Sequence, residues 1–434
     1  MVRHLPSFHW AWLILVICFL DVFINYAARN GFGVVLPEMI TEIGFGRTEG
    51  GSIYNAYFVT YITLAPLTGY LTDRIGARKV ITACLVILGT GLVLMGTVKS
   101  FTPALFFFAL VGIGATGMWT PVITVVQQWF AANRRGLALG ILSSGAGLGF
   151  ATMGIVFPSI VATFNWQYAW YFLGGGAFMM VFVSGLLLRS TPESTGTTPW
   201  GVTDNETFEP DQDSVQLDVK NIAGVLRKRT FWLIGISYFS ISFALYGLAT
   251  FMVDYARSQL MLPLDEASFL ATVHGVCQVA GVLTIAPLSD HLGRRNTLLL
   301  SNMCITGALC TIVFYSSHPS MLVVLVGIAA LFHGATFPVY GACAGDYFPR
   351  TLMGTVIGMW TPFHGLGVMA AHWTGGILRD TTGVYDTAFL INAVMAGVAF
   401  VIMCAVRQNT RRQLTKKPGG IPPGYHKAPI TGNL

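Results

Sequence analysis

Charged side chains make up only 10% of this 434-residue sequence, against about 25% in soluble globular proteins. So few charges cannot cover a water-facing surface of this size, which excludes a soluble enzyme with an ordinary core. The 49 glycines follow no three-residue period and 54% of residues are hydrophobic, which excludes collagen-like and disordered chains. The seven cysteines (Cys18, Cys84, Cys277, Cys304, Cys310, Cys343, Cys404) all fall inside apolar runs with no C-x-x-C pair. That spacing reads as small buried hydrophobes, neither a disulfide frame nor a metal site. There is no Walker loop, zinc signature or nucleophile elbow, so nothing supports ATP-driven pumping, catalysis or a cofactor.

What the sequence does have is long apolar runs. A spanning helix needs about 20 such residues, and a transmembrane barrel would show short alternating segments instead. Twelve helices are expected, near 10–39, 51–70, 79–97, 104–130, 135–156, 166–188, 231–252, 267–288, 296–315, 321–340, 354–378 and 388–406. The expected fold class is an all-α membrane protein of twelve transmembrane helices. Its units are an N-terminal six-helix bundle (1–189), a polar linker (190–229) holding seven of the 19 acids, a C-terminal six-helix bundle (230–407) and a tail (408–434). The first apolar run is too long for a signal peptide and is expected to stay as helix 1.

The placement of the basic residues orients the chain in its lipid bilayer. With the N-terminus, even-to-odd loops, linker and tail on one side, 20 Lys/Arg collect there. Four (Arg47, Lys99, Arg257, Arg379) lie opposite, and Arg29 falls within a helix. By the positive-inside rule both termini are cytoplasmic, in a plasma membrane such as the bacterial inner membrane. Charges used this way do not form a nucleic-acid patch. The Asn205-Glu206-Thr207 tripeptide lies on the inner side, so it reads as a chance match to a glycosylation acceptor.

The halves repeat. Ala65-Pro66-Leu67-Thr68 through Asp73-Arg74-Ile75-Gly76 is echoed by Ala286-Pro287-Leu288-Ser289-Asp290-His291-Leu292-Gly293, and Asp73 matches Asp290 at an offset of 217. The same offset relates Gly117-Met118-Trp119-Thr120-Pro121-Val122 to Gly334-Ala335-Thr336-Phe337-Pro338-Val339. Gly136 and Gly140 match Gly354 and Gly358 one residue later. Two parallel pseudo-repeats of six helices follow, a plan in which substrates bind between halves that rock to alternate access.

Gly69-Tyr70-Leu71-Thr72-Asp73-Arg74-Ile75-Gly76-Ala77-Arg78-Lys79 resembles the G-x-L-x-D-R-x-G-R-[RK] loop of the major facilitator superfamily. The second copy keeps Asp290, Gly293, Arg294 and Arg295, with Ala286 and His291 as replacements. The resemblance implies the major facilitator fold and a gating role for Gly69, Asp73, Arg74, Gly76, Arg78, Asp290, Gly293 and Arg294. Asp73 would latch one side shut near Arg135 and a helix N-terminus of the other half. Arg134-Arg135-x-Leu137-Ala138-x-Gly140 is similar to the helix-5 signature of monocarboxylate porters. Asn25-Tyr26-Ala27-Ala28-Arg29 with Pro37 resembles helix 1 of organic-anion symporters. Helix 8 departs from the porters: His274 to Val282 carries no acid–arginine pair.

Arg29 is the sharpest single feature, because a guanidinium within a spanning helix is costly unless it faces a wet cavity or a partner. Its planar fork suits a substrate carboxylate; the plainer alternative is an internal ion pair with Asp21, on the same stripe as Asn25. The expected substrate-binding set is Arg29, Asn25, Tyr26, Asn55, Tyr57, Trp119, Tyr238, Tyr246, His274, Gln278, Trp360 and His364. Asp21, His274 and His364 are candidates for proton coupling, whereas His333 and His372 read as packing residues. Phenols could bind carboxylate oxygens and rings could enclose an apolar body. Thr-Pro after Trp119 and after Trp360 marks possible breaks in helices 4 and 11. Gly112-x-Gly114-x-x-Gly117 matches a dinucleotide fingerprint, but inside an apolar helix it reads as close helix packing.

The function these features imply is secondary active transport of a small organic anion, a mono- or dicarboxylate, coupled to a proton or a counter-anion, by a monomer. The alternatives are a drug or amphipathic-solute exporter of the same superfamily and a non-transporting membrane receptor.

Overall fold

The computed structural model describes residues 9–131, 134–201, 224–315, 318–349 and 352–407. The tail beyond 407 and most of the linker lie outside the described residues. Twelve long helices follow one another: α1 (Trp10–Ile43), α2 (Arg47–Ile75), α3 (Ala77–Met95), α4 (Phe101–Trp129), α5 (Arg135–Thr163) and α6 (Trp166–Leu187), then α7 (Arg229–Ser258), α8 (Leu264–Leu292), α9 (Arg294–Tyr315), α10 (Pro319–Tyr347), α11 (Met353–Thr382) and α12 (Asp386–Ala405). Ten are long and apolar enough to cross a membrane on length and composition alone. The other two, α2 and α11, are as long but more polar, and they pack against each other. A helix that turns one side toward a cavity need not be apolar all round.

Within the first six helices, α1 packs on α5 and α6, and α3 packs on α4 and α6; in the second six, α7 packs on α11 and α12, and α9 on α10 and α12. Between these sets the seams are α5 with α8, α2 with α11 and α1 with α7. The repeat is visible in the backbone. Gly76 joins α2 to α3 at φ 89°, ψ 142°, and Gly293, 217 residues on, joins α8 to α9 at φ 86°, ψ 141°. A side chain is strained at such a φ, so the same turn requires glycine in both halves.

The expected break in helix 4 is present: a 3-10 turn at Thr116–Met118 interrupts α4, and the helix restarts at Thr120 with Pro121 in its first turn. The expected break in helix 11 is not: α11 runs unbroken through Pro362. Proline removes one backbone donor and crowds the preceding turn, which bends a helix without having to end it. Gly112 and Gly114 do pack against other backbones, that of Tyr57 on α2 and that of Leu88 on α3, as close helix contact demands.

The halves are sealed at one end only. At the end carrying Arg47, a Cβ on Gly51 would stand 2.7 Å from the His372 carbonyl, and one on Gly154 would stand 2.6 Å from that of Ser268. At the opposite end, Gly69, Gly136, Gly140, Gly354 and Gly358 face open space. The halves therefore touch near Arg47 and stand apart near the Gly69–Lys79 loop.

Candidate functional site

Arg29 sits in the middle of α1 and is 4% exposed. Its Nη2 donates to the Tyr246 hydroxyl on α7 at 2.7 Å. The guanidinium carbon lies 4.4 Å from the ring centre of Phe58, 5.0 Å from Tyr246, 5.3 Å from Tyr26 and 5.9 Å from Tyr57. Among the described residues the ion pairs are Arg47–Asp254, Arg257–Glu38 and Arg294–Asp290; Arg29 has no carboxylate. Asp21, the alternative partner, accepts instead from the Ser184 hydroxyl of α6 at 3.1 and 3.2 Å. Arg29 Nε has no hydrogen-bond partner. A buried guanidinium in this setting costs at least about 2.5 kcal/mol. The charged bond to Tyr246 returns about 1.5–3 kcal/mol and the aromatic faces about 0.5–2 kcal/mol, which offsets that cost without using every donor, Nε being spare.

The neighbours come from both halves. Asn25 accepts from the Tyr57 hydroxyl at 3.2 Å, Tyr57 stacks on Tyr61, and Tyr26 meets Trp119 edge-on at 6.1 Å just past the break in α4. From the second half, His364 Nδ1 lies 2.9 Å from the Ser242 hydroxyl. Its ring stacks on Tyr238 and meets Tyr246 edge-on, each at 5.5 Å. His333 meets Tyr246 at 5.9 Å and reaches His274 at 3.3 Å. Gln278, one turn beyond His274, is half-buried.

Of the residues expected at the site, Asn25, Tyr26, Arg29, Tyr57, Trp119, Tyr238, Tyr246, His274 and His364 thus converge, with Gln278 flanking them. Asn55 and Trp360 do not. The Asn55 carboxamide donates to the Met369 carbonyl at 3.0 Å and lies 2.7 Å from His372 Nδ1, tying α2 to α11 at the sealed end. Trp360 is buried, stacks on Phe231 and donates to the Phe231 carbonyl at 3.1 Å, which anchors the start of α7.

Arg29 and Tyr246 are 217 residues apart, the offset that relates the two loop motifs. They are equivalent positions of the repeat, facing each other where α1 and α7 meet. Gly33 and Thr250 contact each other one turn along with the same separation. The cation therefore lies on the axis relating the halves, and one hydrogen bond joins the halves through it.

The sealed end holds a polar cluster that sequence reasoning missed. Arg47 donates to Asp254 at 3.1 Å, and Asp254, fully buried, also accepts from the Tyr385 hydroxyl. Asp380 accepts from the Arg47 and Thr48 amides at 2.9 and 2.8 Å, an acid from α11 capping the N-terminus of α2. Arg257 pairs with Glu38 at 3.2 Å, a more exposed contact. A surface crevice of about 710 Å³ beside this pair, lined by Gly154, Pro158 and Asp265, is remote from Arg29.

At the open end the loop motif is disengaged. Asp73 is exposed and makes no ion pair among the described residues. Arg135 donates to the Gln127 and Phe130 carbonyls of its own half. Arg74 lies over Tyr70, and Arg78 donates to the Gly185 carbonyl, pinning the loop to α6. Arg294 pairs with Asp290 four residues away.

A twelve-helix bundle, split at one end and sealed at the other, with a buried unpaired cation on its axis, has the layout of a secondary transporter. The chain belongs to the Major Facilitator Superfamily, whose profile matches residues 18–263 and 234–431; its members are transporters and not enzymes. Among curated relatives, the probable sulfoacetate transporter SauU of Cupriavidus necator is 24% identical, covering 89% of this chain and 91% of its own. Monocarboxylate transporter 12 of Mus musculus is 22% identical over 95% of this chain and 88% of its own. The hexuronate transporter of Bacillus subtilis is 20% identical over 94% and 96%. Among solved structures, a bacterial homolog of the human lysosomal transporter Spinster superimposes with TM-score 0.70 at 17% identity over 93% of this chain and 96% of that one. The nucleoside transporter NupG gives 0.72 at 14% over 91% and 100%. These likenesses show the shared fold.

Proposed function

We propose that the protein carries a small organic anion bearing a carboxylate, and that Arg29 binds it. The observation that carries the reading is a buried guanidinium with no carboxylate beside it among the described residues and an unpartnered Nε. A substrate carboxylate offers two oxygens to the fork. Tyr246 accepts from Arg29 and keeps its own proton to donate to the anion, so substrate and both halves share one hydrogen-bonded cluster. Binding would draw α1 and α7 together and favour closing the open end. The aromatic walls enclose the rest of the solute. The relatives named above are a probable sulfoacetate transporter, a monocarboxylate transporter and a hexuronate transporter, which accords with an anionic solute.

In this reading residues 1–189 and 230–407 are the rocking units, and the Gly69–Lys79 loop with Asp290–Arg294 faces the cytoplasm with both termini. Asp73 and Arg135 engage the other half only when that side closes. Transport is coupled to a proton or a counter-anion, with Asp21, His274 and His364 as titratable candidates, in a monomer of the bacterial inner membrane. Flux in proteoliposomes tests the reading: uptake of carboxylates that unlabelled carboxylates compete away supports it. Efflux of lipophilic cations without flux of any carboxylate would establish a drug exporter instead.

A further inference from the structure

Beside the Arg29 cluster, three more buried polar atoms lack a partner: His274 Nδ1, His333 Nε2 and Gln278 Oε1. All belong to α8 and α10, which pack closely enough for the backbone of Gln278 to touch Gly334, the neighbour of His333. His274 and His333 are 1% and 3% exposed and share one contact, Nε2 to Nδ1 at 3.3 Å. In a neutral pair, one ring donates across that contact and the other accepts. Whichever tautomers are present, the two outer nitrogens are then one N–H and one bare lone pair. A single added proton converts the bare nitrogen to N–H, leaves the inner bond intact and makes both outer ends donors. A second proton would break the inner bond and set two cations side by side. The pair is therefore built to hold one proton.

The counter-charge for that proton has to come from the ligand. Among the described residues, the charged or titratable groups facing the pair are Arg29 from α1, Tyr246 from α7 and His364 from α11, while α5 presents Phe150 at 5.2 Å from His274. None is an acid. A single carboxylate on Arg29 neutralises Arg29 and leaves nothing for the pair. We propose that the His274–His333 pair is a second oxyanion subsite, which takes up one proton together with the second acidic group of a two-headed substrate. The substrate class is then a dianion, one acid on Arg29 and Tyr246 and the other on the histidine pair, with Gln278 accepting from a hydroxyl or N–H of the body between. The proton arrives from water at the open end, adds to the bare ring nitrogen, and leaves to water on the other side when the dianion departs.

This inference rests on the anion-carrier reading, and the test separates the two. The purified full chain is titrated calorimetrically at pH 7.5 with malonate, succinate and glutarate, each against its half-amide, in two buffers of different ionisation enthalpy. The expected result is that the best diacid binds at least tenfold more tightly than its half-amide. It takes up about one proton per molecule, and the half-amide takes up none. His333→Gln and His274→Asn should lower the diacid-to-half-amide affinity ratio at least tenfold and abolish the proton uptake. Equal affinities in the wild type, diacid binding without proton uptake, or variants that weaken diacid and half-amide alike overturn the subsite. Absence of binding by every diacid and half-amide overturns the anion-carrier reading itself.

Discussion

Replacing Arg29 by methionine separates the two things a buried arginine can be, a structural partner or a ligand group. Arg29 has one hydrogen bond, to a neutral partner, and four rings about it. A desolvation cost of at least about 2.5 kcal/mol opposes about 1.5–3 kcal/mol from the bond, whose donor is charged, and about 0.5–2 kcal/mol from the rings. These terms are of similar size, so Arg29→Met should change the melting temperature of the ligand-free protein only slightly. The bound state differs. A charged hydrogen bond contributes about 1.5–3 kcal/mol, and losing about 3 kcal/mol weakens binding on the order of 100-fold. At a ligand concentration near 100 times the wild-type Kd, the ligand stabilises wild type by about 2.7 kcal/mol and the variant by only about 0.4 kcal/mol. The assay is a thermal-shift titration of carboxylates on both proteins, with Arg29→Lys, which keeps the charge and loses the fork, falling between them. Equal stabilisation of wild type and Arg29→Met would remove Arg29 from the site. A collapse of the empty variant would show that Arg29 holds the fold.

Asp254→Asn should loosen the sealed end, since a fully buried acid loses its charge contact to Arg47. Removing one partner of a buried pair costs about 3–5 kcal/mol, less here because the Arg47 side chain is 24% exposed. Maleimide labelling of a cysteine introduced as Ser52→Cys should speed up several-fold, and an unchanged rate would contradict the role. Gly154→Leu should destabilise the protein by about 1–3 kcal/mol, read as a lower melting temperature, because its Cβ alone would stand 2.6 Å from the Ser268 carbonyl. Gly358→Leu, at a position facing open space, should fold and bind a carboxylate normally yet block exchange by preventing closure of the open end. Normal counterflow by that variant would show that the end does not close there.

The part of the molecule legible in sequence was the part governed by composition and periodicity. Apolar runs marked the helices, and scarcity of charge made Arg29 visible. The 217-residue offset, applied to Arg29, points to Tyr246, a pairing available from sequence once the repeat was aligned. The break at Trp119 followed from Thr-Pro, but the same dipeptide after Trp360 does not interrupt α11, because a proline bends a helix without having to end it. Asn55 lies among the tyrosines of α2 in sequence, yet it turns to Met369 and His372 of α11; which side of α2 meets α11 is a packing outcome. Asp254, Asp380 and Tyr385 gave no local signal, since each lies at a helix end where a charge or phenol is ordinary. The contact of His274 with His333 joins two helices across 59 residues, and no spacing rule predicts which helix faces meet.

The central claim is that Arg29 recognises a carboxylate carried between the halves. Counterflow in proteoliposomes tests it directly, with a labelled dicarboxylate outside and either its unlabelled form or its diamide inside. The account predicts exchange against the dicarboxylate, none against the diamide, and none of either kind with Arg29→Met. Exchange against the diamide, or wild-type exchange by Arg29→Met, would contradict it.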